Sequence, residues 1–485
     1  MAGLNYSKAF SSRRFWNYFP LGVAYAALYM GRYSYIPAKE ELSKTLVIDG
    51  ERHSVVIQGA QVLIQQGEKL IDKGMQLLES GMVLLSDGRE VSFLMDNMGL
   101  GFMTFVGAIV YGVSFLFNGP LTDSMGGRKA MLIATAGSAA VNLMMGLVLA
   151  LGWTDDFVMK MAILYGVNMY FQSFASVAIV KVNSNWFHIN ERGFFGGIFG
   201  ILISSGLFLA YTVSPLIMSW LFTGDPQYYY FVPAALLTFM MTVTFLLIRN
   251  TPADAGHPGF STGTDSEMDS DEKMPVLVVL KKIVTHPIVL TIAFIELCTG
   301  VLRDGVIHWF GAYAGAHAGS EARGMLGIGL FVAGASGAML AGWVSDKFFG
   351  SRRTPVAALF YAIIVTTLIA ASLIMHFVPD AAFKTYLIFG VVILLSFAVI
   401  GTHGMLSGAA SADFGGKQGT ATAVGIIDGF VYVGVAIQGM SLGYLTTLEG
   451  GWDYWFPFLI PFALIGLALS WKIRHVKPKM KSGHH

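Results

Sequence analysis

Charge is what this chain has least of. Asp, Glu, Lys and Arg make up 13% of its 485 residues, and 54% are hydrophobic. A soluble domain carries about 25% charged residues, so a water-facing globular surface is excluded. The net charge of +1 offers no basic surface to nucleic acid. A single cysteine, Cys298, excludes an intrachain disulfide framework. No ATP-binding glycine loop, hydrolase constellation or metal-ligand spacing is present. Catalytic residues, metal and cofactor are therefore all expected to be none, and the chain is not expected to be an enzyme.

Glycine (57) and phenylalanine (36) are plentiful, which suits closely packed membrane helices. Twelve apolar runs approach the ~20 residues that cross a bilayer as helix. The first follows "NYSKAFSSRR" and is long enough to remain as an anchor instead of being cleaved. Between the sixth and seventh runs lies "RNTPADAGHPGFSTGTDSEMDSDEKMP", a polar, acidic stretch that reads as a flexible linker. The basic residues of short loops fall on one side: Lys8, Arg13 and Arg14; Arg128 and Lys129; Lys347, Arg352 and Arg353; and Lys472 to Lys481. That asymmetry places both termini in the cytoplasm.

The halves repeat. "GPLTDSMGGRKAML" (119–132) follows the second run and "GWVSDKFFGSRRTPV" (342–356) the eighth. This loop, placed twice with twelve spans and a central linker, resembles the major facilitator superfamily. The resemblance implies an all-α membrane protein of twelve transmembrane helices in two pseudo-symmetric six-helix bundles. Asp123, Arg128, Asp346 and Arg352 are expected to serve as a structural latch at the helix ends.

The repeat also acts as a ruler. Arg303 and Asp346 are 43 residues apart, whereas Arg32 and Asp123 are 91 apart, an excess of 48 between the first two spans. The expected layout is the N-terminus and first span in 1–46, an external insertion in 47–94 and spans two to six in 95–248. A cytoplasmic linker follows in 249–284, spans seven to twelve in 285–475, and a tail with a tag remnant in 476–485. In the insertion, glycines recur at 67, 74, 81 and 88, and apolar pairs follow the first three: Leu70–Ile71, Leu77–Leu78 and Leu84–Leu85. The spacing predicts an amphipathic helix near 55–85 with a glycine in every heptad. Glycine costs about 1 kcal/mol per helical site, so the alternative is a mobile loop. As a helix it would pack on the transporter's own exterior, a second copy or another protein.

Ionisable residues inside apolar runs mark a cavity or bundle interior. They are Arg32, Lys181, Glu296, Arg303, Asp304, His308, His403 and Asp428. Arg32 and Arg303 each lie late in the first span of their half. A pseudo-two-fold would bring them together near the midplane, where two permanent cations need an anion or their own carboxylates. Glu296 lies on the helix face of Arg303, whereas the span of Arg32 holds no acid. Asp428 could serve sugar hydroxyls or pair with Lys181. Glu296, His403 and His308 are candidate proton or ion-pair groups, with Glu296 the strongest because burial disfavours an ionised carboxylate.

Around these residues the resemblance narrows. "YMGRYSYIPAKEEL", "GVLRDGVIHWFGAYA", "RNTPADAGHPG", "WFHINERGFFGG" and "SGAASADFGGKQGTATAVGIIDG" are similar to segments of the organophosphate:phosphate antiporters, which include glycerol-3-phosphate, hexose-phosphate and sugar-phosphate exchangers. The resemblance implies that Arg32 and Arg303 clamp a phosphoryl group, with Tyr111, Tyr432, Lys181 and Asp428 around the substrate. The expected partners are a phosphorylated small molecule, inorganic phosphate and the lipid bilayer. The chain is expected to be a monomer in a bacterial inner membrane. Where the glycerol-phosphate branch follows the span-one arginine with lysine, this chain has Tyr33. Ser114–Phe115 and Asn185 stand where relatives carry Ser-Lys and histidine. Fewer cations imply a larger or less charged ester. The alternatives are a sensor of the same fold and a proton-coupled carrier of another anion.

Overall fold

The computed structural model describes all residues except 1–5, 59, 67–68, 79–81, 96, 189–190, 223–224, 258–259, 261, 263–274, 318, 380–381, 447, 449 and 477–485. Residues 258–259, 261 and 263–274 of the expected linker, the tail beyond Val476, Gly67 and Gly81 thus lie outside the described residues.

The chain is mostly helix, because apolar segments in lipid must satisfy their backbone groups internally. The helices are α1 (Lys8–Tyr33), α2 (Tyr35–Leu42), α3 (Asn97–Met125), α4 (Gly127–Ala150) and α5 (Phe157–Trp186). Next come α6 (Arg192–Phe208), α7 (Ser214–Leu221), α8 (Tyr228–Leu247), α9 (Val276–Val284) and α10 (Pro287–His317). The last are α11 (Gly319–Phe348), α12 (Thr354–Phe377), α13 (Ala382–His403), α14 (Ser411–Leu445) and α15 (Trp455–Lys472). Ten helical stretches among the described residues are long and apolar enough to cross a membrane, and the bent pair α9–α10 supplies an eleventh if taken as one span. α1 has the length, at 26 residues, but its tyrosines and arginines dilute its apolar character. Wider π-type turns interrupt two spans, at Leu209–Val213 and Gly404–Ala410. Such turns recur at functional sites, and the second follows His403 directly.

Among its described residues the insertion is strand and turn, not helix. Residues 45–91 form a six-stranded antiparallel meander: β1 (Thr45–Ile48), β2 (Glu51–Gln58), β3 (Gln61–Gln66), β4 (Lys69–Leu77), β5 (Val83–Leu84) and β6 (Glu90–Val91). The expected amphipathic helix is corrected by turn chemistry. Asp49 and Gly50 both take positive φ between paired Ile48 and Glu51, the geometry of a tight Asp-Gly hairpin. Gly74 has φ +70 where the β3–β4 register shifts, as a bulge requires. The pair Leu70–Ile71 then splits across the sheet. Ile71 packs on a small core of Leu46, Val55, Val62, Ile64, Met75, Val83 and Leu85, while Leu70 is exposed. The sheet leaves and rejoins the helices at one point, because the Leu94 amide donates to the Thr45 carbonyl at 3.0 Å.

The opposite end gathers the basic loops. Arg14 pairs with Glu191 at 3.1 Å, the Arg249 amide donates to Asn17, the Arg128 amide to Asn250, and the Thr354 hydroxyl to the Ile473 carbonyl. In the middle, α14 lies against α3 on one side and α10 on the other, and α6 runs along α11. The α3–α14 crossing is backbone on backbone. A Cβ on Gly119 would sit 2.8 Å from the Ala421 carbonyl oxygen, and one on Gly425 2.7 Å from that of Phe115.

Candidate functional site

α1 and α10 each bring an arginine beside the same tyrosine. Arg32 and Arg303 are 1% and 4% exposed. Their guanidinium carbons lie 5.9 and 5.8 Å from the centre of the Tyr432 ring. Tyr432, on α14, is therefore the common neighbour of the two cations, and a phenol face attracts positive charge.

Arg32 Nε donates to Gln172 Oε1 at 2.8 Å, Nη1 to the Tyr432 hydroxyl at 2.6 Å and Nη2 to the Tyr111 hydroxyl at 2.7 Å. The Tyr111 and Tyr432 rings lie 4.1 Å apart. Gln172 is held by Asn168, which also donates to the Gly31 carbonyl. A guanidinium has five N–H donors. Three of Arg32's are taken among the described residues, leaving one on each Nη.

Arg303 is held differently. Its Nε donates to Asp304 Oδ1 at 3.2 Å and its Nη1 to His403 Nε2 at 3.1 Å. Nη2 is buried with no hydrogen-bond partner among the described residues. His403 Nδ1 meets Glu296 Oε2 at 2.5 Å. The expected pairing of Arg303 with Glu296 is thus indirect: the histidine stands between them. Asp428 accepts from Ser407 in the π-turn and lies one helical turn before Tyr432.

Two small cavities adjoin the arginines. One is bounded by Arg303, Asp304, His308, Tyr29, Tyr33 and Tyr211, the other by Arg32, Asp304, His308, Tyr33, Tyr35 and Thr104. Each holds about 10 Å³, about one water. His308 and Asp304 border both. Tyr33 lines both as well. In this closed arrangement a phosphate ester enters only if the helices part.

Lys181 is elsewhere. It lies nine residues after Gln172 on α5, about 13 Å along the axis. There its Nζ meets Asp123 Oδ1 at 2.5 Å. Neither the central role nor the Lys181–Asp428 pair is what the geometry presents; Asp428 is engaged by Ser407 instead. The reason is that a lysine near a helix end reaches the polar boundary. Asp123 also accepts from the Thr422 amide and hydroxyl, each at 2.8 Å, and from the Ala421 amide at 3.3 Å. It therefore bolts α3 to α14. Its counterpart Asp346 stays local, taking Arg353 Nη1 at 2.7 Å and the Ser351 hydroxyl. Arg352 donates to the Phe349 carbonyl and Arg128 Nη2 to that of Phe245, so the partner of Asp346 is Arg353, not Arg352. Asn185 donates to the Asn250 carbonyl, away from the arginines.

Gln172 was not among the expected site residues. An uncharged amide inside an apolar run is the signal that points to it, since a buried amide needs partners.

The description "Major Facilitator Superfamily" matches residues 21–437. A glycerol-3-phosphate transporter of Bacillus subtilis (strain 168) is 25% identical over 405 residues, covering 77% of this chain and 84% of that protein. A putative glycerol-3-phosphate transporter 2 of Arabidopsis thaliana is 28% identical over 433 residues, 79% of this chain and 78% of its own. The membrane sensor protein UhpC of Salmonella typhimurium is 24% identical over 394 residues, 78% and 82%. With a family match across most of its length and, among the described residues, ten helices long and apolar enough to cross a membrane, the chain is a multi-pass membrane protein that belongs to the major facilitator superfamily.

Proposed function

We propose that this protein is a secondary transporter of the organophosphate:phosphate antiporter type, exchanging an organic phosphate ester for inorganic phosphate by alternating access. The observation that carries the reading is the donor count at the centre. Two N–H groups of Arg32 and three of Arg303 remain for a ligand, and both cations flank Tyr432. Guanidinium forks match phosphoryl oxygens in charge and in planar geometry. The names of the relatives support the same substrate class. Asp304, Asp428, Tyr111 and Tyr432 would then orient the organic part.

In this reading α1, α3, α4, α5, α6–α7 and α8 form one six-helix bundle, and α10 to α15 the other. The basic end is cytoplasmic and residues 47–94 are external. Cysteines at Ser54 and Ser124 are expected to label from opposite sides of the membrane.

The test is counterflow. Purified protein in liposomes preloaded with phosphate is expected to take up labelled phosphate, and external sn-glycerol 3-phosphate or a hexose phosphate to compete. A second reading, a sensor, has its own support: relatives named membrane sensor protein UhpC and a folded external sheet able to meet a partner. Ester binding without exchange would favour it. Exchange insensitive to every phosphate ester, but competed by carboxylates, would sink the phosphate reading.

A further inference from the structure

The hydrogen-bond chain behind Arg303 assigns a protonation state. Arg303 Nη1 lies 3.1 Å from His403 Nε2. A guanidinium has donors only, so Nε2 must offer its lone pair. The imidazole is therefore neutral, with its one hydrogen on Nδ1, and Nδ1–H donates to Glu296 Oε2 at 2.5 Å. Both residues are sealed from water, at 4% and 0% exposure.

We infer that His403 and Glu296 form a proton site that fills when an anion takes Arg303, so that this carrier moves a proton with its anion. The inference rests on the anion-transport reading. Its logic is the fate of one lone pair. When an anion binds the three free N–H groups of Arg303 and draws the guanidinium toward it, Nη1 withdraws from His403 Nε2, which loses its donor inside a dry site. A buried acceptor without a donor is costly. On one side of the ring stands the Glu296 carboxylate, and on the other the arriving negative charge. Each favours a proton on the imidazole. The proton bonds to Nε2, its former O–H bond to water or to a protonated phosphoryl oxygen breaks, and the resulting imidazolium bridges Glu296 and the anion. When the anion leaves, the proton departs and Nη1 returns to Nε2.

The surrounding charge points the same way. Around His403 stand Glu296, Arg303 and Asp304 on α10, Asp428 on α14 and Arg32 on α1. Three carboxyl groups thus face two arginines, a poor home for a dianion unless a positive charge is added. The Tyr361 hydroxyl on α12 meets Thr299, whose hydroxyl donates to Glu296 Oε1 at 3.3 Å, fixing that carboxyl in place.

The experiment is a proton count. Detergent-purified protein in weak buffer near pH 8 is mixed with sn-glycerol 3-phosphate, whose second ionisation is complete well below that pH. A pH dye and calorimetry in two buffers read protons taken up per ester bound. Wild type is expected to take up about one proton per ester. His403→Gln keeps an acceptor for Arg303 but cannot gain a charge. It is expected to bind ester more weakly with uptake near zero. Glu296→Gln, which removes the counter-charge, is expected to lower uptake as well. In liposomes an inward proton gradient should accelerate ester uptake by wild type and not by His403→Gln. Ester binding by wild type without proton uptake overturns the inference and leaves the transport reading standing. Uptake unchanged in a folded variant of either residue does the same. If His403→Gln does not fold, the wild-type count and Glu296→Gln decide. Failure of wild type to bind any phosphate ester would bring down the transport reading first, and this inference with it.

Discussion

Replacing Arg32 with lysine removes geometry and keeps charge, and the structure says how much that should cost. The guanidinium meets Gln172, Tyr432 and Tyr111 and has two N–H groups to spare. An ammonium has three hydrogens in all, and the three protein acceptors can absorb every one. The ligand then loses two charge-assisted hydrogen bonds, each worth about 1.5–3 kcal/mol. At the lower bound that is about 3 kcal/mol, about 150-fold in Kd. The same count makes a sharper forecast. In Arg32→Lys combined with Tyr111→Phe, one protein acceptor is gone and one ammonium hydrogen is released to the anion. The double variant should bind about tenfold more tightly than Arg32→Lys alone. Calorimetry with sn-glycerol 3-phosphate measures the affinities, counterflow the exchange, and thermal melts confirm that each variant is folded. Affinity of Arg32→Lys within about fivefold of wild type would refute the donor count, as would a double variant no better than the single one.

The bolt at Asp123 sets a second expectation. In a Cys298→Ser background with Ala421→Cys as a buried reporter, Asp123→Asn should raise maleimide reactivity about 10- to 150-fold, the worth of one charged hydrogen bond; an unchanged rate would contradict it. Gly119→Val should wedge α3 from α14, since its Cβ meets the Ala421 carbonyl. It should keep ester binding and lose exchange, which counterflow would read directly. Joining residue 45 to 94 through two glycines should leave exchange intact, because the sheet leaves and rejoins the helices where Thr45 meets Leu94; lost exchange in a folded protein would assign the sheet a role in transport. In that sheet, hydrogen bonds from Arg89 hold the Asp49 and Asp87 carboxyls below the usual carboxylate range. Their folded pKa values are depressed, so the stabilisation is present above about pH 4 and fades as pH falls further. Measured against the intrinsic rate at each pH, amide protection at Glu90 should fall on acidification in wild type and much less in Asp87→Asn.

The apolar runs and the repeated loop could be read along the chain, because each rests on a local pattern or on symmetry between the halves. The insertion could not be read by period alone. Glycines seven apart with apolar pairs fit a helix, yet a helix would have carried their cost without compensation, whereas Asp49–Gly50 and Asp87–Gly88 are turn formers that put positive φ where glycine is free. Lys181 illustrates another limit. A charge in an apolar run looks the same at the centre of a span as near its end, and only the partner, Asp123, tells them apart. The link between His403 and Glu296 spans 107 residues and leaves no mark on either segment. Asp123 and Asp346 sit in matching loops, but one crosses to α14 and the other turns back on its own loop, a difference that sequence symmetry conceals.

The glycine crossing of α3 and α14 bears on speed. Helices that mesh through side chains must climb out of each other's grooves before they slide, and every groove is a separate energy minimum. Gly119 and Gly425 present bare backbone, so the two rods glide as smooth surfaces with little corrugation between them. Resistance to movement then resides in the discrete polar fastenings, Asp123 at one end and the arginine–tyrosine cluster at the centre. A ligand acting on the central fastening alone could set the pace of the whole cycle, because the bearing between the two helices adds almost no friction of its own.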